Sequence, residues 1–133
     1  MKPKILLILQ NMYMNRKGSL IAPVYNTSRI NRKNATYSRI LKHLEKDYEI
    51  WFTECSRCIA DNHKTKFPTD LLYVRAALNY DNWFAVVAFG KQAEEALEDL
   101  KYVPFDVLPH PVSYKWRKQD IITLKDRLYE HSH

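Results

Sequence analysis

Glycine is scarce in this chain: 133 residues contain only Gly18 and Gly90, where average usage would supply about nine. Each is expected where a side chain would obstruct. Cysteine is equally sparse, with Cys55 and Cys58 spaced as C-x-x-C. A structural zinc site needs two further ligands, but the five histidines are scattered and no second cysteine pair exists. A redox C-x-x-C would open a helix directly after a strand, and no helical period follows here, so two reduced, partly buried thiols are expected. Long apolar runs are missing too. The longest early one, residues 5–9, is too short for the core of a signal peptide or for a membrane span. A soluble, intracellular, cytoplasmic protein with no membrane partner is the expectation.

Acid is absent from residues 11–33, which carry Arg16, Lys17, Arg29, Arg32 and Lys33 among Asn, Ser, Pro and Gly. With 21 Lys and Arg against 15 Asp and Glu, the net charge is +6, which favours a polyanionic partner. The remaining composition, 46% hydrophobic and 27% charged, is that of an ordinary globular chain, and the length suits a single domain over residues 1–133.

Hydrophobic spacing lays the chain out. Residues 4–9 form a continuous apolar run of strand length, suited to a central strand covered on both faces. Residues 11–33 have no sustained period and are expected to form a long basic loop. Tyr37, Ile40, Leu41 and Leu44 then recur at helical spacing behind a cap at Asn34 or Thr36. Residues 49–53 read as a second strand. Residues 68–70 start a helix through Leu71, Leu72, Val74 and Leu78. Residues 83–89 are a buried strand ending at Gly90, and strong helix formers follow from Lys91. Residues 104–108 give a short fourth strand closing at His110, and Asp120 is expected to cap a C-terminal helix through Ile121, Leu124 and Leu128.

Strands alternating with helices spell an α/β fold, a three-layer α/β/α arrangement on a four-stranded parallel sheet. Ligands of such sheets bind beyond the carboxyl ends of the strands. Four segments meet there by topology: Gln10 and Asn11, Thr53 and Glu54, Phe89 and Gly90, and His110.

At these strand ends the sequence resembles the uracil-DNA glycosylase superfamily, in order and spacing over nearly the whole chain. Leu9, Gln10, Asn11, Met12 and Tyr13 occupy the place of the family's Gly-Gln-Asp-Pro-Tyr or Gly-Ile-Asn-Pro-Gly motif. His110, Pro111, Val112, Ser113 and Tyr114 are similar to its His-Pro-Ser-Pro-Leu. Residues 86–93 resemble its strand, Gly and helix, and residues 34–37 the Asn-Arg-Phe-Trp segment of the mismatch-specific branch. The resemblance implies a DNA glycosylase, a hydrolase that flips a nucleotide out of the stack and cleaves its N-glycosidic bond without metal or cofactor.

By that resemblance His110 donates to the departing base and Asn11 positions water. Tyr13 walls the base pocket, with Gln10 and Gly90 beside it, and Phe89 either stacks on the base or packs as core. Tyr114 stands where the family's leucine wedge enters the duplex. Ser113, Lys115 and Arg117, with Arg29 and Arg32, would contact nucleic acid. Iron–sulfur members carry a ligand at the place of Cys58 but need four cysteines, so no metal cluster is expected.

Departures from the motifs shape the chemistry. Leu9 and Met12 replace the Gly and Pro of the first motif. Glu54 stands where the family's second strand commonly ends in an Asn that reads uracil; a carboxylate only accepts, which favours an edge with two adjacent donors over plain uracil. A solvated or ion-paired Glu54 is the alternative. Asn11 cannot take a proton from water as an Asp could, which keeps open a non-catalytic nucleotide- or nucleic-acid-binding protein on the same fold. A flavodoxin-like domain would need a phosphate loop over residues 10–18, which hold one Gly and two Met. His43, His63, His131 and His133 read as surface histidines, and Glu94, Glu95, Glu98 and Asp99 as a solvated helix face pointing away from DNA.

Overall fold

The computed structural model describes residues 1–13, 22–60 and 67–132, with side chains for all of these except residues 11–13 and 57–60. Among the described residues five strands and four α-helices follow one another: β1 (Lys4–Tyr13), β2 (Tyr25–Asn26), α1 (Ala35–Leu44), β3 (Glu49–Ala60), α2 (Leu71–Leu78), β4 (Ala85–Phe89), α3 (Lys91–Asp99), β5 (Asp106–Leu108) and α4 (Lys118–Ser132). The sheet order is β2-β3-β1-β4-β5. The pairs β1 with β3, β1 with β4 and β4 with β5 are parallel, whereas β2 runs antiparallel to β3. The sheet is therefore five-stranded and mixed, not four-stranded and all parallel as the sequence reading expects. The added edge strand is two residues long, too short to leave a period in the sequence.

Two apolar layers cover the sheet, set by the alternation of side chains along each strand. Ile5, Leu7 and Leu9 of β1, Ile50 and Phe52 of β3, and Val87 and Phe89 of β4 pack with Ile40 and Leu44 of α1 and Leu124 and Leu128 of α4. Leu6 and Ile8, with Val86 and Ala88, pack on the other face with Val74 of α2 and Ala93 and Leu97 of α3. Helices thus lie on both faces in an α/β/α sandwich. None of the described helices is long and apolar enough to cross a membrane.

Local chemistry starts the helices where the sequence indicates. The Asn34 side chain accepts from the Thr36 amide at 2.9 Å and caps α1. Asp70 accepts from Tyr73 at 3.1 Å and caps α2, and its own amide donates to Cys55 O at 2.7 Å, which ties the helix start to β3. In contrast, α4 begins at Lys118, two residues before the expected cap. Asp120 lies in its first turn and accepts from the Arg117 amide at 3.2 Å. Strands β1 and β3 both run past their apolar runs, to Tyr13 and Ala60, because each serves as the other's partner along this extension.

Candidate functional site

Chain order creates one natural crevice. From β1 the chain passes to β3 on one side, covered by α1; from β4 it passes to β5 on the other side, covered by α3. The winding reverses between β1 and β4, and ligands of open α/β sheets sit at the carboxyl ends of such a strand pair. A cleft of about 610 Å³ lies there, lined among others by Gln10 from the end of β1, Gly90 from the end of β4, and His110, Ser113, Tyr114 and Lys115 from the loop after β5. Six residues singled out in the sequence meet in one cavity.

Gly90 shapes its floor. Its φ of 92° and ψ of 169° belong to a region that essentially only glycine occupies. It forms the N-cap of α3 without a side-chain cap bond, so the first-turn amides of that helix and the positive end of its dipole face the cleft region. Its amide donates to Leu108 O at 2.8 Å, closing the ends of β4 and β5 together. A Cβ at Gly90 would lie 3.7 Å from the Cβ of His110, so backbone conformation, more than space, requires glycine here.

His110 is held by its own loop. The Val112 amide donates to His110 Nδ1 at 3.3 Å, which leaves the proton of a neutral imidazole on Nε2 and makes that atom a donor. The Ser113 amide donates to His110 O at 2.9 Å, the Ser113 Oγ accepts from the Lys115 amide at 3.1 Å, and the Trp116 amide donates to Ser113 O at 3.0 Å. Arg39 of α1 donates to Pro111 O from outside. This loop is a bonded turn structure, and it presents Tyr114 to solvent at 85% exposure. Lys115 Nζ stands 5.9 Å from the Tyr114 ring centroid. Arg117 turns back to donate to Tyr114 O at 2.9 Å and Trp116 O at 3.0 Å.

Other expected site residues lie elsewhere. Phe89 is fully buried in the α1/α4 core, its ring 6.4 Å from that of Trp116, and it does not line the cleft. Glu54 pairs in register with Leu9 and shares its face of the sheet, while Gln10 points to the opposite face. Its carboxylate is 0% exposed, among aromatic residues. Tyr25 and Tyr37 exchange a hydroxyl hydrogen bond of 2.9 Å, and their rings pack on Phe52 at 5.5 and 5.0 Å. Burial, then the charge of Glu54, raises the Tyr25 phenol well above its ordinary value, and Tyr25 also hydrogen-bonds to Glu54. Glu54 is thus a core carboxylate behind β3, neither a reader of the cleft nor a solvated strand end.

Arg29 and Arg32 sit near the amino edge of the sheet. Arg29 ends a 3-10 turn after β2, beside a cavity lined by Asn26, Thr27, Ser28 and Glu49. Arg32 grips Glu45 with two hydrogen bonds, of 2.8 and 2.6 Å. Arg29 and Arg32, expected to contact nucleic acid, therefore lie away from the cleft, because β2 turns the chain back toward the amino edge. The side chains of Asn11 and Tyr13 lie outside the described residues, as do Arg16, Lys17, Gly18, His63 and the side chain of Cys58. Cys55 is a buried free thiol, pushed up to about 12 by burial and then by Glu54. No group of three metal-ligating side chains occurs among the described residues.

Two residues carry more than their sequence context signals. Glu94 lines the cleft instead of facing away from it. It stands four residues after Gly90, one turn into α3, a spacing that returns its side chain toward the strand end. His43 is not a plain surface histidine: its Nε2 is buried without a hydrogen-bond partner, and burial, then Lys42, Lys118 and Lys125, lowers its pKa. The chain matches no protein-family model, no curated protein and no solved structure.

Proposed function

We propose that the cleft between Gln10, Gly90 and His110 binds a nucleobase of DNA, extruded from its strand, and that the protein acts there as a glycosylase. The observation that carries this reading is the convergence of Gln10, Gly90, His110, Ser113 and Tyr114 on one cavity at the switch point of the sheet. These are the positions at which the sequence resembles the uracil-DNA glycosylase superfamily.

The chemistry follows from the placement. The bond between sugar C1′ and base nitrogen breaks, its electron pair leaves with the base, and the sugar passes through an oxocarbenium ion to which water adds. The added water then loses its proton, which the departed base anion takes up, so the products are a free neutral base and an abasic sugar. His110, with its proton on Nε2, donates to the oxygen of the departing base and spreads its negative charge; one such donor is worth about 3 kcal/mol in the barrier. Tyr114, exposed at the cleft rim, occupies the gap left in the stack, and Lys115 and the amino end of α3 attract phosphate. The resemblance, and not the described geometry, gives Asn11 the role of orienting the water.

A second reading, binding without cleavage, is favoured by one observation: Glu54, the carboxylate that the sequence reading assigns to the base, is fully buried on the face of the sheet it shares with Leu9, opposite to Gln10. Oligonucleotides bearing a panel of modified bases, incubated with the protein and scored for abasic sites, decide between the two. Cleavage at one or more bases that is lost in His110→Ala supports the glycosylase. Tight binding with no abasic product across the panel supports the binding protein. Neither binding nor cleavage overturns both.

A further inference from the structure

A second groove, of about 370 Å³, runs between α1 and α4 and is separate from the cleft. Arg39, Lys42 and His43 line it from α1, Lys118 from the first turn of α4, and Trp116 and Ser113 from the connecting loop. No carboxylate among the described residues lines it. Ser113 also lines the cleft, so the two cavities meet at one residue. At its base the His43 Nε2 is shielded from water with no hydrogen-bond partner, although a polar atom left so is costly. Arg39, Lys42 and Lys118 bring three positive charges to one groove, and Lys42 and Lys118 disfavour the protonated ring of the half-buried His43; an anion offsets this charge.

Arg39 is already positioned by its hydrogen bond to Pro111 O, which pins its guanidinium at the groove rim and couples the groove to the loop carrying His110. We propose that this groove is a phosphate subsite for the same nucleic-acid strand whose base enters the cleft, with Arg39, Lys42 and Lys118 supplying charge and His43 Nε2 the directed hydrogen bond. The inference rests on the reading that the cleft takes a base. Trp116 supplies the apolar wall along which the sugar passes between the two cavities. A strand, rather than an isolated nucleotide, is then the substrate class, because only a strand spans both.

The test uses Lys42→Glu, an exposed position with no packing role. Binding of a single-stranded oligonucleotide is measured between about 50 and about 200 mM salt, where each phosphate contact to a single strand contributes about 0.7 to the log-log slope. The variant should bind about tenfold more weakly at the lower salt, with its slope reduced by about 0.7. A nucleoside monophosphate, followed through the amide resonances of Gly90 and Ser113, should bind wild type and variant alike. An unchanged oligonucleotide affinity and slope in a variant that unfolds like wild type overturns the subsite. If inorganic phosphate alone shifts the His43 ring resonances as fully as the oligonucleotide does, the groove is a free-phosphate site and the strand assignment is wrong. If no nucleotide moves Gly90 while the oligonucleotide still moves His43, the cleft reading fails and the groove survives as a separate anion site.

Discussion

His110 and Gly90 depend on each other through the backbone: one glycine bends the end of β4 so that the loop after β5 can bring an imidazole over it. Replacing Gly90 by Ala forces a side chain into a backbone conformation that costs about 1 to 3 kcal/mol, which urea unfolding would report as a lower midpoint with an unchanged slope. Removing the His110 ring should leave stability near wild type and lower cleavage about 100- to 1000-fold, the loss expected for one donor to a developing anion. Two buried groups, Cys55 on β3 and Tyr25 on the adjoining β2, packed on opposite faces of the sheet, add an alkaline limit. Cys55 titrates at about 12 in the fold, against an ordinary 9.0, and Tyr25 is raised in the same direction. Each stays protonated in the folded chain after the unfolded chain has ionised, so the unfolded state binds fewer protons. The Cys55 contribution is fully present below pH 9.0 and is lost as pH rises toward about 12, whereas that of Tyr25 is fully present below its ordinary 10.0 and is lost only above it. Cys55→Ala should therefore lose less stability than wild type between neutral pH and the alkaline side of that window, measured by denaturant titration at each pH.

At the level of elements, apolar period and capping chemistry are what a sequence displays, and where they govern, the reading holds. Asn34 and Asp70 cap α1 and α2 as their positions indicate, and Asp70→Ala should cost about 1 kcal/mol of stability in chemical unfolding. Where pairing between distant segments governs, local pattern falls silent. The two residues of β2 form a strand because β3 offers its open edge, and β1 and β3 continue to Tyr13 and Ala60 because they extend each other. Glu54 illustrates an intermediate case. Its parity with Ile50 and Phe52 along β3 already puts it on their face, but only the register with Leu9 shows that this face is the α1/α4 core and not the cleft.

For the molecule as a whole, strand order decides where chemistry can gather. Alternating strands and helices imply that Gln10, Gly90 and His110 share one edge, and they line one cleft because β1 and β4 are neighbours at the winding reversal. The distribution of charge was not legible in the same way. Net charge has no address in a sequence, and the turn at β2 sends Arg29 and Arg32 to the amino edge, while Lys42 and Lys118, far apart in the chain, come together between α1 and α4. Glu94 enters the cleft for a related reason: the direction of an acidic helix face depends on which side of the sheet the helix covers.

The location of ligand binding is the central claim, and amide chemical-shift mapping with a single-stranded oligonucleotide reads it residue by residue. Shifts concentrated at Gln10, Gly90, Lys91 and Ser113 are the predicted result. Shifts confined to Asn26, Thr27, Ser28 and Glu49, around the cavity at the opposite edge of the sheet, would contradict it.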